Sequence, residues 1–411
     1  MFSLPIIEKN QYIYNVNSAI NDFPEKGSTV VVGMSGGVDS TLVTMLLKDH
    51  GCNVIGATMS LWNNDLPIIP KRNAAWNSCY RPDEAASIEL CKKFCNEQGF
   101  EHYTINVGDV YKREVLEYFK TEYRSGHTPN PCIMCNPTVK FGAFIDGIKK
   151  AGIDFDYFCT GHYAKLANPQ KPVVQGWNFA KIVDGKYEYP FLIANAEDDT
   201  KDQTYFLYRI PSEVLQKVRF PLGNYTKKQV FELASKRNLA AAEKAESQDF
   251  LPPEYIEMLF SDKHPIAGDI VDVDGNVLGR HKGIEFYTIG QRRGLSVSSS
   301  VPLYVSEIDA KRNRIVLGTN DSLLADGLYA SNWVWPNNFA PEKSFYANVK
   351  IRLATPQVHA LIEPCTEKGN GFYKVIFDKP VRAVAPGQSV VIYIDGMIVG
   401  GGIITQGIPH E

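Results

Sequence analysis

The sequence predicts three parts: an α/β domain on a parallel sheet, then two small β domains, the last a β-barrel. Three observations predict this. Between residues 28 and 160, short apolar β-branched runs alternate with helical stretches. The glycine-rich and motif-bearing segments of that half follow the ends of such runs. After about residue 265, short β-rich runs broken by Asp-Gly and Gly turns take over.

Residues 1–27 carry no strong pattern and read as an extension. Thr29–Gly33 is a strand, followed by a helix over 41–50 that Gly51 closes. Asn53–Ser60 is a second strand, and a long irregular loop with Pro67 and Pro70 runs from 62 to 81. Pro82 suits the first turn of a helix reaching Gln98, with Gly99 beyond its end. A strand over 103–107 and a helix over 110–124 come next. Asn136-Pro137 reads as the N-cap and first turn of a helix to Lys150, before a strand over 155–160. Helical pattern covers 226–238 and 243–245. Strands are expected over 268–273, 286–289, 303–308 and 314–317, and similar alternation fills 327–411. The expected units are 28–250 with its helical connector, 251–326 and 327–411.

Charge and composition narrow the function. The 411 residues carry a net charge of -3, so an RNA partner needs local basic patches. No apolar run approaches a membrane span, and the first residues lack the blocks of a secretory signal, which predicts a cytoplasmic protein without a membrane partner. Eight cysteines are too few for a disulfide scaffold, so a cysteine pair points to metal binding or catalysis.

The first motif is Gly33-Met34-Ser35-Gly36-Gly37-Val38-Asp39-Ser40, between strand and helix. Gly36 and Gly37 let backbone N–H groups approach an anion, and the helix start turns its positive end toward it. Ser35 and Ser40 add hydroxyls, and Asp39 is a candidate for holding Mg²⁺ against phosphates. Without Gly-Lys-Ser/Thr this is not a Walker loop. It resembles the pyrophosphate loop of enzymes that cleave ATP between its α and β phosphates.

The second motif is Thr128-Pro129-Asn130-Pro131-Cys132-Ile133-Met134-Cys135-Asn136, followed by Lys140-Phe141. Prolines on both sides of Asn130 fix an extended approach. Placed just before an N-cap, Cys135 is expected to have a lowered pKa and to carry persulfide sulfur.

With these segments the chain resembles the tRNA-specific 2-thiouridylase family, from Thr29 nearly to the end. Matching stretches include 33–40, 56–59, 130–136, 160–164, 201–207, 221–223, 287–292 and 382–388. The resemblance implies an adenine nucleotide alpha-hydrolase-like α/β domain, two β domains, and ATP-dependent 2-thiolation of the wobble uridine, position 34, through an adenylated base. It assigns ATP to Gly33–Ser40, Met59 and Gly161. Asn130, Pro131, His162, Lys201, Asp202, Gln203, Arg352, Leu353 and Gln388 match positions that touch tRNA. Cys135 matches the attacking cysteine. The implied partners are the anticodon arm of tRNA and a sulfur-donor or persulfide relay protein. Arg292, Arg293 and Lys350 join Arg352 as candidate phosphate contacts.

Two positions depart from the family. Many members have Asp where Cys132 stands, and many have a second cysteine where Leu251 stands. Cys132 then either resolves a persulfide on Cys135, or joins it in ligating a [4Fe-4S] cluster with Cys159 as third ligand. Zinc is a weaker fit for three ligands. Two other readings remain: a pyrophosphatase-loop synthetase acting on a small molecule, and a non-catalytic RNA-binding iron–sulfur carrier.

Overall fold

The computed structural model describes residues 22–64, 66, 78–239, 250–252 and 255–411. Four strands of the first domain are β1 (Thr29–Gly33), β2 (Asn53–Ser60), β3 (Glu101–Asn106) and β4 (Tyr157–Thr160). Together with a short strand at Val218–Arg219 they form a parallel sheet in the order β3–β2–β1–β4–Val218–Arg219. The order reverses beside β1, so a crevice opens past the carboxyl ends of β1 and β4.

Valines make β1 a central strand, because both of its faces must be covered. Val30 and Val32 pack with Leu42, Val43 and Leu47 of α1 (Val38–His50). Val31 points the other way, into the cluster that holds Phe141, Phe144 and Phe158. Helix α2 (Glu84–Gln98) buries Cys91 and Cys95, four residues apart on one face, as packing residues.

The helix expected from Asn136 begins five residues earlier. Pro131 takes its first position and Asn130 caps it, the Asn130 side chain accepting from the Cys132 N–H at 3.1 Å. Pro137 therefore falls inside a helix, where it lacks an N–H and its ring would press on the preceding turn. The backbone answers by widening into π turns over Asn136–Ala143 before regular helix resumes at Phe144–Lys150. The expected helix over 110–124 also holds a π segment, at Lys112–Leu116.

The middle domain is a four-stranded sheet ordered Val277–His281, Gly268–Asp272, Arg314–Gly318, Tyr304–Asp309. The segment expected as a strand over 286–289 instead begins in a 3-10 turn, Ile284–Phe286, and continues without strand pairing. In the last domain six strands close into a barrel, Leu324–Val334 pairing with both Tyr373–Arg382 and Met397–Pro409. The sequence did not signal that two strands of the first domain, Lys165–Ala167 and Leu192–Ala194, join this sheet through Met397 and Ala194. The helical pattern at 243–245 lies outside the described residues.

Asp22 lies buried at the base of the first domain and takes a hydrogen bond from Asn224. Burial pushes its carboxyl up to about 6, against Lys165 and Asn224. A carboxyl raised in the folded state binds protons that the unfolded chain has released, so stability falls as pH climbs from about 4 through 6. Asp22→Asn is expected to leave the melting temperature nearly unchanged at pH 4 and to raise it at pH 7, by at most about 2–3 kcal/mol of stability. Thermal melts at both pH values check this, and equal shifts would refute it.

Candidate active site

The turn after β1 has the form of an anion cradle. Gly36 takes φ +74, a left-handed conformation that suits glycine, and Gly37 starts α1 with no side chain capping the helix. The α1 N–H groups thus face the crevice without a side-chain acceptor from Gly37. The Ser40 hydroxyl accepts from Ser35 N–H at 3.2 Å and lies 3.5 Å from the Ser35 hydroxyl. Met34 is buried, its N–H donating to Ala57 C=O at 2.7 Å, while Val38 packs into the α1 core. Met59, near the end of β2, is half-buried on the opposite face.

Gly161 follows β4 and presses on this turn. A Cβ there would stand 3.0 Å from Asp39 Cβ and 3.0 Å from Ser40 N, contacts that only glycine avoids. Gly161→Ala is expected to push the two turns apart and weaken ATP binding about tenfold, equivalent to ~1.4 kcal/mol. Calorimetric titration checks this, and unchanged affinity would remove Gly161 from the nucleotide site.

Asp39, expected to hold Mg²⁺, is paired within the chain in this structure. Its two oxygens accept from Lys227 Nζ at 2.7 and 2.9 Å, and Oδ1 also accepts from the Tyr163 hydroxyl at 3.0 Å. Lys227 opens the helix Lys227–Lys236, which Thr226 and Gln229 cap reciprocally. Sequence reasoning missed this lysine, which lies 188 positions from its partner.

Beside Gly161, His162 lies between the glycine turn and the cysteine helix. Its Nδ1 lies 2.8 Å from the Thr160 hydroxyl, and its ring lies between Phe141 and Phe220. Burial and the nearby Lys140 ammonium hold its pKa well below the usual range, so the imidazole is neutral. Lys140 follows Cys135 by five residues. A π turn takes one residue more than an α turn, so this spacing returns Lys140 toward the Cys135 face.

The cysteine chemistry needs correction at two points. Cys135 lies a full turn inside its helix, away from the dipole end, and burial pushes its thiol up to about 12 against the pull of Lys140. Burial likewise raises Cys132 to about 11. Cys159 cannot join them, because strand alternation turns it into the α1 core while its neighbour Phe158 faces the cysteine helix. The third thiol near the pair is Cys79, which influences both cysteines and Lys140. Among the described residues, no three Cys, His, Asp or Glu side chains stand together as a metal site. Leu251 is buried in the core, and 245–249 before it lie outside the described residues.

The residues matched to tRNA contacts divide. Arg352 gives one N–H to Ile289 C=O at 3.0 Å and keeps a buried Nε without a partner, and Leu353 is exposed. Arg292 and Arg293 are also exposed, and Lys350 is half-buried. Lys201 lies in a turn, its N–H bonded to Asp198 C=O. Asp202 is used internally, accepting from Ala196 N–H at 2.8 Å and from the Thr204 hydroxyl. Gln203 exchanges hydrogen bonds with the Tyr163 backbone at 2.9 and 3.0 Å. Gln388 and Asn130 also bond within the chain.

An anion cradle at the switch point of a parallel sheet, with Gly161 and His162 leading from it to the helix that carries two cysteines, is the arrangement of a nucleotide-using α/β protein. Residues 28–251 match the family described as tRNA methyl transferase HUP domain. Residues 256–319 match its PRC-barrel domain, and 325–404 the aminomethyltransferase beta-barrel domain. The chain is 41% identical over 377 residues to tRNA-specific 2-thiouridylase MnmA of Endomicrobium trichonymphae, covering 91% of this chain and 98% of that protein. It is 38% identical over 387 residues to tRNA-specific 2-thiouridylase MnmA 1 of Clostridium botulinum, covering 92% and 99%. The chain belongs to the tRNA-specific 2-thiouridylase family. Among solved structures, U34-tRNA thiolase NcsA from Methanococcus maripaludis with its [4Fe-4S] cluster aligns at 16% identity and TM-score 0.32, over 60% of this chain and 70% of that one. Among the described residues no helix is long and apolar enough to cross a membrane.

Proposed function

We propose that this chain is an ATP-dependent tRNA-uridine 2-sulfurtransferase acting on the wobble uridine. One observation carries the reading: Gly161 touches the first turn of α1, and the next residue, His162, faces Phe141 and Lys140 of the cysteine helix. Contacts thus run from the glycine turn to the cysteine helix, which supports a single crevice for nucleotide and thiols, as a reaction between an adenylated base and a sulfur carrier requires.

The phosphates of ATP rest on the turn Gly33–Ser40, with Lys227 supplying positive charge and Mg²⁺ arriving with the nucleotide. The uridine leaves its stack to enter the crevice. Its O2 attacks the α-phosphorus, the bond to the β-phosphate breaks, and pyrophosphate leaves. The terminal sulfur of a Cys135 persulfide then attacks C2, and AMP departs with the original oxygen. Cys132 attacks the Cys135 sulfur, breaking the S–S bond to release 2-thiouridine and leaving a Cys132–Cys135 disulfide. A thiol reductant restores the pair, and a persulfide carrier protein reloads Cys135. The anticodon arm lies against the β domains, with Arg352 and Leu353 on its path.

Cys79 favours a second reading. With Cys132 and Cys135 it makes a three-thiol set that would hold a [4Fe-4S] cluster if closed together, leaving an iron open to carry sulfur. Anaerobic purification with iron and acid-labile sulfide analysis separates the readings. Full thiolation without iron supports the persulfide route, and stoichiometric iron lost on Cys79→Ser supports the cluster. The reaction class is tested by ATP-dependent sulfur incorporation into tRNA with matched pyrophosphate release, and pyrophosphate release without tRNA dependence would overturn it.

A further inference from the structure

The stretch that delivers the chain to the cysteine helix is held from outside its own domain. Thr128 N–H donates to Pro386 C=O at 2.7 Å. The Gln388 side-chain amide donates to Thr128 C=O at 2.9 Å and, more weakly, to Pro129 C=O at 3.4 Å. Between them Gly387 takes φ +89, and a Cβ there would stand 2.9 Å from His127 Cβ. The barrel backbone therefore lies flush against residues 127–129.

Little slack separates this grip from the thiols. Pro129 and Pro131 restrict the backbone around Asn130, and Asn130 caps the helix at Cys132 N–H. A shift at Thr128 is passed to the start of the cysteine helix. On its other side, the Gln388 carbonyl oxygen lies 3.5 Å from the Tyr205 hydroxyl. That hydroxyl, with one proton to give, lies 3.1 and 3.0 Å from the carbonyls of Ile351 and Ser389. Ile351 precedes Arg352, so a run of polar contacts joins the barrel face to the cysteine approach.

We propose that Gln388 is a positioning residue for sulfur transfer, fixing from the barrel where Cys132 and Cys135 stand relative to the nucleotide turn. This rests on the sulfurtransferase reading above and adds to it a role within the protein that operates before tRNA is bound.

Gln388→Ala and the near-isosteric Gln388→Glu test it. In ATP-dependent thiolation, kcat is expected to fall about 10- to 100-fold while KM for tRNA stays within about threefold. Without tRNA, alkylation of Cys135 by iodoacetamide, followed by mass spectrometry, is expected to speed up at least about fivefold as the approach loosens. A raised KM with kcat retained, together with an unchanged alkylation rate, would overturn the proposal. Retained ATP affinity identifies folded variants, and Gln388→Glu decides should the alanine variant misfold. If the wild-type protein fails to thiolate tRNA, the reading above falls, and the alkylation comparison still judges Gln388.

Discussion

Cys135→Ser is expected to lower sulfur incorporation into tRNA below about one thousandth of wild type while tRNA-dependent pyrophosphate release persists. The two steps use different groups. Adenylation depends on the turn Gly33–Ser40 and its helix dipole, which the serine leaves alone. Sulfur transfer needs an atom that can carry a second sulfur, and a serine oxygen cannot. The side chain is nearly isosteric and sits in a helix that Asn130 caps independently, so the melting temperature should stay close to wild type. Measuring both products from one reaction checks the split. Thiolation above a few per cent of wild type would show that another cysteine carries the sulfur, with Cys79 and Cys132 nearest.

Lys227→Met is expected to weaken ATP binding about 100-fold, and the double variant Asp39→Asn/Lys227→Met only about tenfold. The ammonium is nearly buried while the carboxylate is one-quarter exposed. Removing the lysine leaves an unpaired negative charge beneath the turn that must receive phosphates, and like charges a few ångströms apart repel strongly away from water. Taking the carboxylate's charge away as well relieves that repulsion. Breaking such a pair from one side also costs stability, up to about 3 kcal/mol, reduced by the exposure of Asp39. A double-mutant cycle on ATP affinity checks the coupling. If the two losses simply add, the pair is not the electrostatic unit described.

Much of the first domain was legible because its signals are local. The β-branched run of β1, the glycine turn and the Gly51 stop lie within about two dozen residues, and strand order places that turn at the switch point. The cysteine helix was misread where two cap signals compete. Asn130-Pro131 and Asn136-Pro137 both look like starts, and the structure uses the first and absorbs Pro137 into π turns. That choice moved Cys135 inside the helix, away from the dipole end, where burial raises its pKa instead. Cys159 was misplaced because alternation along β4 can be read from sequence, whereas which face the cysteine helix covers depends on how the chain crosses over. Lys227 escaped, and Gln388 was read only as a tRNA contact, because their partners, Asp39 and Thr128, lie 188 and 260 positions away, beyond any local pattern.

The hairpin formed by Lys165–Ala167 and Leu192–Ala194 finds its neighbour only at Met397, in the final strand. During synthesis that edge waits, unpaired, until the strand holding Met397 has emerged from the ribosome. A bare strand edge is a template for wrong partners, so ribosomes stalled before that strand is made should release chains prone to aggregate.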